Sequence, residues 1–109
     1  MAIVMQLEWP GVALDDYNRV MEALGLDADP PAGGLFHVSG EDGGSLRIVD
    51  VWESEDAWNS FFASRLTPAL EKTGLMAKGR PNVRLYPVHN VFAPDAAAVE
   101  RLGAASAHA

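Results

Sequence analysis

Residues 44–62 read GSLRIVDVWESEDAWNSFF, in which a segment of alternating character runs directly into a helix. Side chains in a strand alternate between two faces, so the first half predicts one face that carries Leu46, Ile48, Asp50 and Trp52. Asp50 is the exception on this largely apolar face. A carboxylate among apolar side chains is costly to bury unless it is paired, hydrogen-bonded or protonated. We therefore expect Asp50 to have a specific partner.

The second half of this stretch begins a helix. Ser54 stands at the N-cap position, and the acidic residues that follow it favour the positive end of a helix dipole. Apolar side chains then recur at helical spacing, which predicts a helix over residues 54–73 that ends at Gly74. Pro68 lies inside this helix and removes a backbone hydrogen bond toward Ser64, so we expect a bend or break there.

The rest of the chain predicts three more strands and one more helix. Alternation indicates strands over residues 2–8, 35–40 and 82–92, and helical spacing indicates a helix over 12–24. Residues 41–44 have the composition of a tight turn, so the second and third strands should form a β-hairpin. Depending on the register, either Leu35 or His37 then lies near Asp50 on the same face.

The predicted order of elements is strand, helix, strand, strand, helix, strand. This βαββαβ order is typical of the ferredoxin-like α+β fold, an antiparallel four-stranded sheet with two helices on one face. We expect it to occupy residues 1–93. Residues 94–109 are an alanine-rich tail that either forms a short helix or stays mobile, and His108 falls within it.

The second face of the predicted sheet is also apolar. Phe36, Val38, Val49, Val51 and Val88 all fall on it. An antiparallel sheet that exposed this face to water would carry polar residues there. We therefore expect a homodimer in which this face packs on another subunit.

Composition excludes several classes of protein. The 109 residues suit one domain, and the formal net charge of -7 disfavours binding to nucleic acid or to an anionic membrane surface. The absence of cysteine excludes disulfides and thiolate chemistry. No apolar stretch reaches the roughly 20 residues of a membrane span, and the start at Met1 lacks a basic leader region. These features predict a cytoplasmic protein.

Two segments carry a resemblance to a known family. Residues 50–58, DVWESEDAW, and residues 86–92, YPVHNVF, resemble the dimeric α+β barrel superfamily and its antibiotic-biosynthesis-monooxygenase-like branch. The resemblance implies two ferredoxin-like sheets paired into a barrel, with a ligand pocket between sheet and helices in each subunit. Asp50 and Trp52 match an acidic residue two positions before a Trp at the end of a strand, with Asp in place of Glu.

One departure from the family pattern concerns cofactors. The pattern often carries a His on the second helix, where this sequence has Phe61 and Phe62. This difference argues against haem ligation. His37 and Asp50 alone would make at most a weak metal site. We therefore expect neither a metal nor a tightly bound cofactor.

The candidate functional residues follow from these patterns. His37 and Asp50 are the candidate catalytic residues, because a carboxylate beside an imidazole raises its basicity as in a general-base pair. The alternative is that they only stabilise the hairpin. The candidate ligand-binding residues are Tyr17, Trp52, Phe62 and His89, each of which could instead be a core or interface residue.

The predicted function is that of a small-molecule enzyme. By resemblance it is a cofactor-free monooxygenase-like protein, or a cyclase or isomerase, acting on a small aromatic or polyketide-like compound in an apolar pocket. Proton transfer by His37 and Asp50 would drive the reaction, while Tyr17 and Trp52 would hold the ligand. The alternative is a non-catalytic small-molecule-binding or assembly protein of the same fold.

Overall fold

A computed structural model of the protein describes residues 1–107. Its strands are β1 (Ile3–Pro10), β2 (Gly34–Asp42), β3 (Ser45–Trp52) and β4 (Asn82–Pro87), in an antiparallel four-stranded sheet of order β2-β3-β1-β4. Its helices are α1 (Leu14–Leu24), α2 (Glu55–Phe61), α3 (Thr67–Thr73) and α4 (Ala96–Ala107). The predicted ferredoxin-like α+β fold is therefore confirmed.

Strand β3 is an inner strand of the sheet, and its side chains alternate between a buried and a more exposed face, as the sequence predicts. Leu46, Asp50 and Trp52 are all buried, with exposed fractions of 2%, 6% and 3%. Arg47, on the opposite face, is exposed. The face that carries Asp50 thus points into the core between the sheet and the helices.

The predicted second helix consists of three segments. Ser54 caps it, since its Oγ accepts a hydrogen bond from the backbone N–H of Ala57 at 3.0 Å. A π-helical segment, Phe62–Leu66, joins α2 to α3. Pro68 lies two residues beyond this segment, where its ring disfavours regular α-helical hydrogen bonding toward Ser64. The expected irregularity is therefore present as a π turn, and Gly74 ends α3 at a left-handed φ of 74°.

The last strand is shorter than predicted. We expected a strand over 82–92, but β4 ends at Pro87, opposite Ile3 at the first position of β1. Strand β4 pairs with β1 alone, so it has no partner left beyond that point. One further hydrogen bond, from the N–H of Val88 to the carbonyl of Ala2 at 3.0 Å, closes the pairing.

The alanine-rich tail contains a helix. Helix α4 spans Ala96–Ala107, and the Asp95 carboxylate accepts a hydrogen bond from the N–H of Ala98 in its first turn at 3.0 Å. His108 lies outside the described residues. Among residues 1–107, no helix is both long enough and apolar enough to cross a membrane.

The opposite face of the sheet carries apolar side chains that are exposed in this chain, beside charged and polar ones. Phe36, Val38 and Tyr86 are 45%, 49% and 40% exposed. Val49 and Val51 are only partly buried beside them. This is the face for which the sequence predicts a partner subunit.

Candidate functional site

A cavity of about 330 Å³ lies between the core face of the sheet and the helices. Most of its lining is apolar, and representative residues are Met5, Leu7 and Leu46 from the sheet and Val20, Phe61 and Leu70 from the helices. A pocket of this size and character is typical of sites for small, largely apolar molecules. The polar side chains at its edge are therefore the ones able to orient a ligand.

The register of the hairpin decides which residue of β2 meets Asp50. His37 lies directly opposite Asp50, because the pairing runs without interruption from Asp42 and Ser45, which flank the turn, to this point; the irregularity between Gly34 and Phe36 comes beyond it. His37 Nδ1 and Asp50 Oδ1 are 2.6 Å apart. Of the two partners left open by the sequence, the structure thus selects His37 and leaves Leu35 at the bulge.

Trp52 holds the other oxygen of the same carboxylate. Its indole Nε1–H donates to Asp50 Oδ2 at 3.0 Å, and both side chains are buried. The Trp52 ring also packs against Phe61, with ring centroids 5.1 Å apart. Asp50 therefore has hydrogen-bond partners on both oxygens, which explains how a carboxylate is tolerated on this face.

Tyr17 extends this set of contacts to helix α1. Its hydroxyl lies 2.5 Å from His37 Nε2, and the two rings are nearly coplanar, with 8° between their planes. Burial raises the pKa of Tyr17, a hydrogen bond with Ser39 opposes that effect, and the nearby Asp50 charge raises the pKa further. The phenol therefore remains protonated at neutral pH and is a hydrogen-bond donor to an unprotonated Nε2.

These contacts form a continuous chain of side chains from helix α1 to strand β3, namely Tyr17, His37, Asp50 and Trp52. We refer to it as the polar chain. Its exposure is graded: the side chain of His37 is 37% exposed, whereas that of Asp50 is 8% exposed. All its members border the cavity. The polar chain can therefore move a proton between the cavity rim and a carboxylate in the interior.

Two of the predicted ligand-binding residues lie elsewhere. Phe62 is 37% exposed and packs beside Trp58, whereas its neighbour Phe61 lines the cavity. His89 is exposed in the segment that follows β4 and does not line the cavity.

A buried ion pair near the start of α1 has no signal in the local sequence pattern. Asp16 is 6% exposed and accepts hydrogen bonds from the N–H of Ala13 and from Lys78 Nζ, at 3.0 and 2.8 Å. It also pairs with Arg19. The bond to Lys78 and the bond to Ala13 hold the pKa of Asp16 below its ordinary value, while burial opposes them. This cluster fastens α1 to the turn that follows α3.

The loop between α1 and β2 closes one end of the cavity, through Leu26 and Pro31. Arg65 holds this region, since its guanidinium donates to the carbonyl of Leu24 at 3.1 Å and lies 3.6 Å from the carboxylate of Asp29. No feature of the local sequence pattern indicates these contacts, because Arg65 is far from its partners along the chain.

The side chains that could bind a metal ion are the His, Asp and Glu residues that the structure describes. Within residues 1–107, no group of three or more His, Cys, Asp or Glu side chains is arranged to hold a metal ion. The polar chain supplies one imidazole and one carboxylate, and both are already hydrogen-bonded within the chain. The chemistry that this donor set can provide by itself is proton transfer.

Comparisons with known proteins give matches in structure only. No protein-family model matches the sequence, and no curated protein matches it. SnoaB, a cofactor-independent oxygenase from Streptomyces nogalater, is 16% identical, with 86% of this chain and 97% of that chain covered and a TM-score of 0.61. A monooxygenase from Streptomyces coelicolor, solved in complex with the ligand nanaomycin D, is 19% identical, with coverages of 86% and 93% and a TM-score of 0.59.

A third match is a protein of unknown function from Nitrosomonas europaea, 14% identical, with coverages of 85% and 94% and a TM-score of 0.64. At such low identities these similarities establish the fold and leave the activity open. The chain has the fold of these solved proteins, the α+β fold that the sequence predicts.

Proposed function

We propose that this protein is a small-molecule enzyme that resembles the cofactor-free monooxygenases of its fold. Its ligand would be a small aromatic or polyketide-like compound bound in the cavity, and its assembly a homodimer. One observation carries the proposal: the polar chain, centred on the contact between His37 and Asp50, borders a cavity whose lining is otherwise mostly apolar. An apolar pocket with a few convergent polar groups is the usual arrangement of a ligand site.

The proposed chemistry begins with removal of a proton from a hydroxylated aromatic ring. The Tyr17 hydroxyl takes this proton as it passes its own to His37 Nε2, which lies 2.5 Å away. The resulting imidazolium is stabilised by Asp50, whose Oδ1 lies 2.6 Å from Nδ1. Low polarity around the carboxylate strengthens this interaction.

The aromatic anion is then the reductant. It transfers electrons to dioxygen, one oxygen atom is retained as a ring carbonyl, and the other leaves as water with protons that include the one held by His37. In net terms a phenol and dioxygen give a quinone and water, so the ligand itself supplies all the electrons. The same proton transfer would serve a cyclase or isomerase acting on such a ligand.

A non-catalytic ligand-binding or assembly role is the second candidate. It is favoured by the complete internal pairing of the polar chain, in which both ring nitrogens of His37 and both oxygens of Asp50 have partners within the chain. In that case the polar chain stabilises the hairpin and the cavity binds a molecule without changing it.

Oxygen uptake separates these functions. Anthrone, an aromatic compound with an acidic C–H, and a hydroxynaphthalene are added to the purified protein, and dioxygen consumption and binding are measured. We expect uptake with the unsubstituted protein and its loss in His37→Ala, with His89→Ala as the matched change outside the cavity. Binding without uptake supports the ligand-binding role. Loss of uptake in His89→Ala instead of His37→Ala would contradict the site.

The absorbance spectrum of the same preparation is a second test. A Soret band or a flavin spectrum would overturn the cofactor-free proposal, since either would identify a bound group able to activate dioxygen.

A further inference from the structure

The two hydrogen-bond partners of Asp50 differ in whether they can only donate a hydrogen bond or can also accept one. The indole N–H of Trp52, which donates to Oδ2 at 3.0 Å, can only be a donor. The His37 ring, 2.6 Å away at Oδ1, can carry its proton on either nitrogen when neutral. Trp52 therefore constrains the carboxylate, and His37 must adjust to the position that Trp52 imposes.

The carboxylate, held in this position, fixes the tautomer of His37. An ionised carboxylate only accepts hydrogen bonds, so Nδ1 of the neutral ring carries the proton and donates to Asp50. Nε2 is then an acceptor and lies 2.5 Å from the hydroxyl of Tyr17. The ring is thus oriented with its basic nitrogen toward the cavity and its N–H toward the interior.

We propose that Trp52 is a positioning residue: its indole N–H holds the Asp50 carboxylate so that Oδ1 faces Nδ1 of His37, which keeps the proton on Nδ1 and leaves Nε2 as the acceptor. The use of this tautomer in catalysis rests on the proposed function, but the tautomer itself does not. Trp52 would therefore contribute more than a wall of the cavity.

The substitution Asp50→Asn gives the sharpest consequence. An amide offers one acceptor oxygen and one donor NH₂ group in place of two acceptor oxygens. The indole N–H must face the amide oxygen, which turns the NH₂ group toward His37 Nδ1. Nδ1 then has to accept, the proton moves to Nε2, and the direction of the hydrogen bond to Tyr17 reverses.

Removing the indole N–H should undo this reversal. In the double variant Asp50→Asn/Trp52→Phe, the amide oxygen no longer has a competing donor and is free to face Nδ1. Phenylalanine retains an aromatic ring to pack against Phe61, whose centroid lies 5.1 Å from that of Trp52. The structure thus predicts a rescue that depends on the indole nitrogen.

Nitrogen NMR of isotopically labelled histidine rings tests the proposal without any ligand. The chain has three histidines, and His37→Ala identifies the resonances of His37. Spectra are recorded above the titration midpoint of His37, with thermal melts to confirm folding. We expect the Nδ1–H form in the unsubstituted protein, the Nε2–H form in Asp50→Asn, and the Nδ1–H form again in the double variant.

Trp58→Phe is the matched control, because it removes another indole from the same aromatic cluster, with centroids 5.7 Å from Trp52, and should leave the tautomer unchanged. An Nδ1–H form in folded Asp50→Asn, or an Nε2–H form that persists in the folded double variant, would overturn the proposal, and the first outcome suffices if the double variant does not fold. The NMR spectra could show the predicted tautomers while the protein neither binds nor oxidises anthrone or the hydroxynaphthalene. That result would refute the proposed function and support the role of Trp52.

Discussion

Removal of the Asp50 carboxylate should destabilise the fold mainly through Trp52. In Asp50→Ala the indole N–H loses its acceptor in a position where Trp52 is 3% exposed, so water cannot replace it. A buried donor left without a partner costs about 1–3 kcal/mol. His37 contributes little to this cost, because its side chain is 37% exposed and its nitrogens can bind water instead.

A double-mutant cycle isolates this effect. In a Trp52→Phe background there is no indole N–H to lose its partner, so Asp50→Ala should be nearly neutral there. The coupling between the two positions is then about 1–3 kcal/mol, within the range seen for contacting residues. For a domain of this size, each kcal/mol lowers the melting temperature by about 4–8 °C.

Thermal and urea unfolding at one fixed protein concentration provide the assay, because assembly would make stability depend on concentration. His37→Ala is the comparison variant, and we expect it to lower the free energy of unfolding by about 1–3 kcal/mol as well, because it leaves Oδ1 of the buried Asp50 carboxylate without its partner. Equal costs of Asp50→Ala in both backgrounds would refute the reasoning, since the Trp52 bond would then not be what Asp50 stabilises.

Three further predictions concern assembly, pH and the cavity. Val51→Asp should dissociate or unfold a dimer built on the apolar sheet face, because an unpaired charge would be buried there; sedimentation at micromolar concentration measures this. The pKa of Asp16 is lowered in the folded state, mainly by the hydrogen bond from Lys78. Asp16→Asn should therefore lower the free energy of unfolding by its full amount above the unfolded-state pKa, and this difference from wild type should disappear as pH falls through the lower folded-state pKa. Gly33→Ala should destabilise the loop at the cavity, because an added Cβ would lie 2.7 Å from that of Ala57 at a φ of 80°.

Two of these predictions have a control variant within the chain. Val91→Asp places the same charge on a residue that is 63% exposed beyond β4, and it should leave assembly unchanged. Gly43 also has a positive φ, of 58°, but a Cβ added there would have no atom within 4 Å. Gly33→Ala should therefore lower the free energy of unfolding more than Gly43→Ala does. A wild-type chain that sediments as a monomer would contradict the dimer. A stability difference for Asp16→Asn that does not shrink in acid would contradict the ion pair.

The face of β3 could be predicted because alternation is a local property of the chain. Leu46, Asp50 and Trp52 fall on one face whatever the strand pairs with, and the structure buries all of them. The partner of Asp50 could not be predicted in the same way. The two-residue turn between Asp42 and Ser45 sets the register of the hairpin, so that His37 and not Leu35 faces the carboxylate.

Features that depend on distant parts of the chain were beyond local patterns. The end of β4 at Pro87 is set by the start of β1 at Ile3, which leaves His89 outside the sheet. The burial of Asp16 depends on Lys78, which lies 62 residues further along. A carboxylate on a helix ordinarily indicates a solvent-exposed face, so its sequence context gave no sign of this ion pair.

The polar chain starts at the edge of the sheet and ends in its interior, and this position explains why its residues suit proton transfer. His37 lies on β2, an edge strand, and its side chain is 37% exposed, whereas Asp50 lies one strand further in and is 8% exposed. At the edge, Tyr17 and His37 can exchange a proton with a ligand or with water. In the interior, Asp50 is held by Trp52 in a less polar environment, where its charge stabilises an imidazolium more strongly than it would in water. A pair buried at both ends could not exchange protons, and a pair exposed at both ends would gain little from the charge.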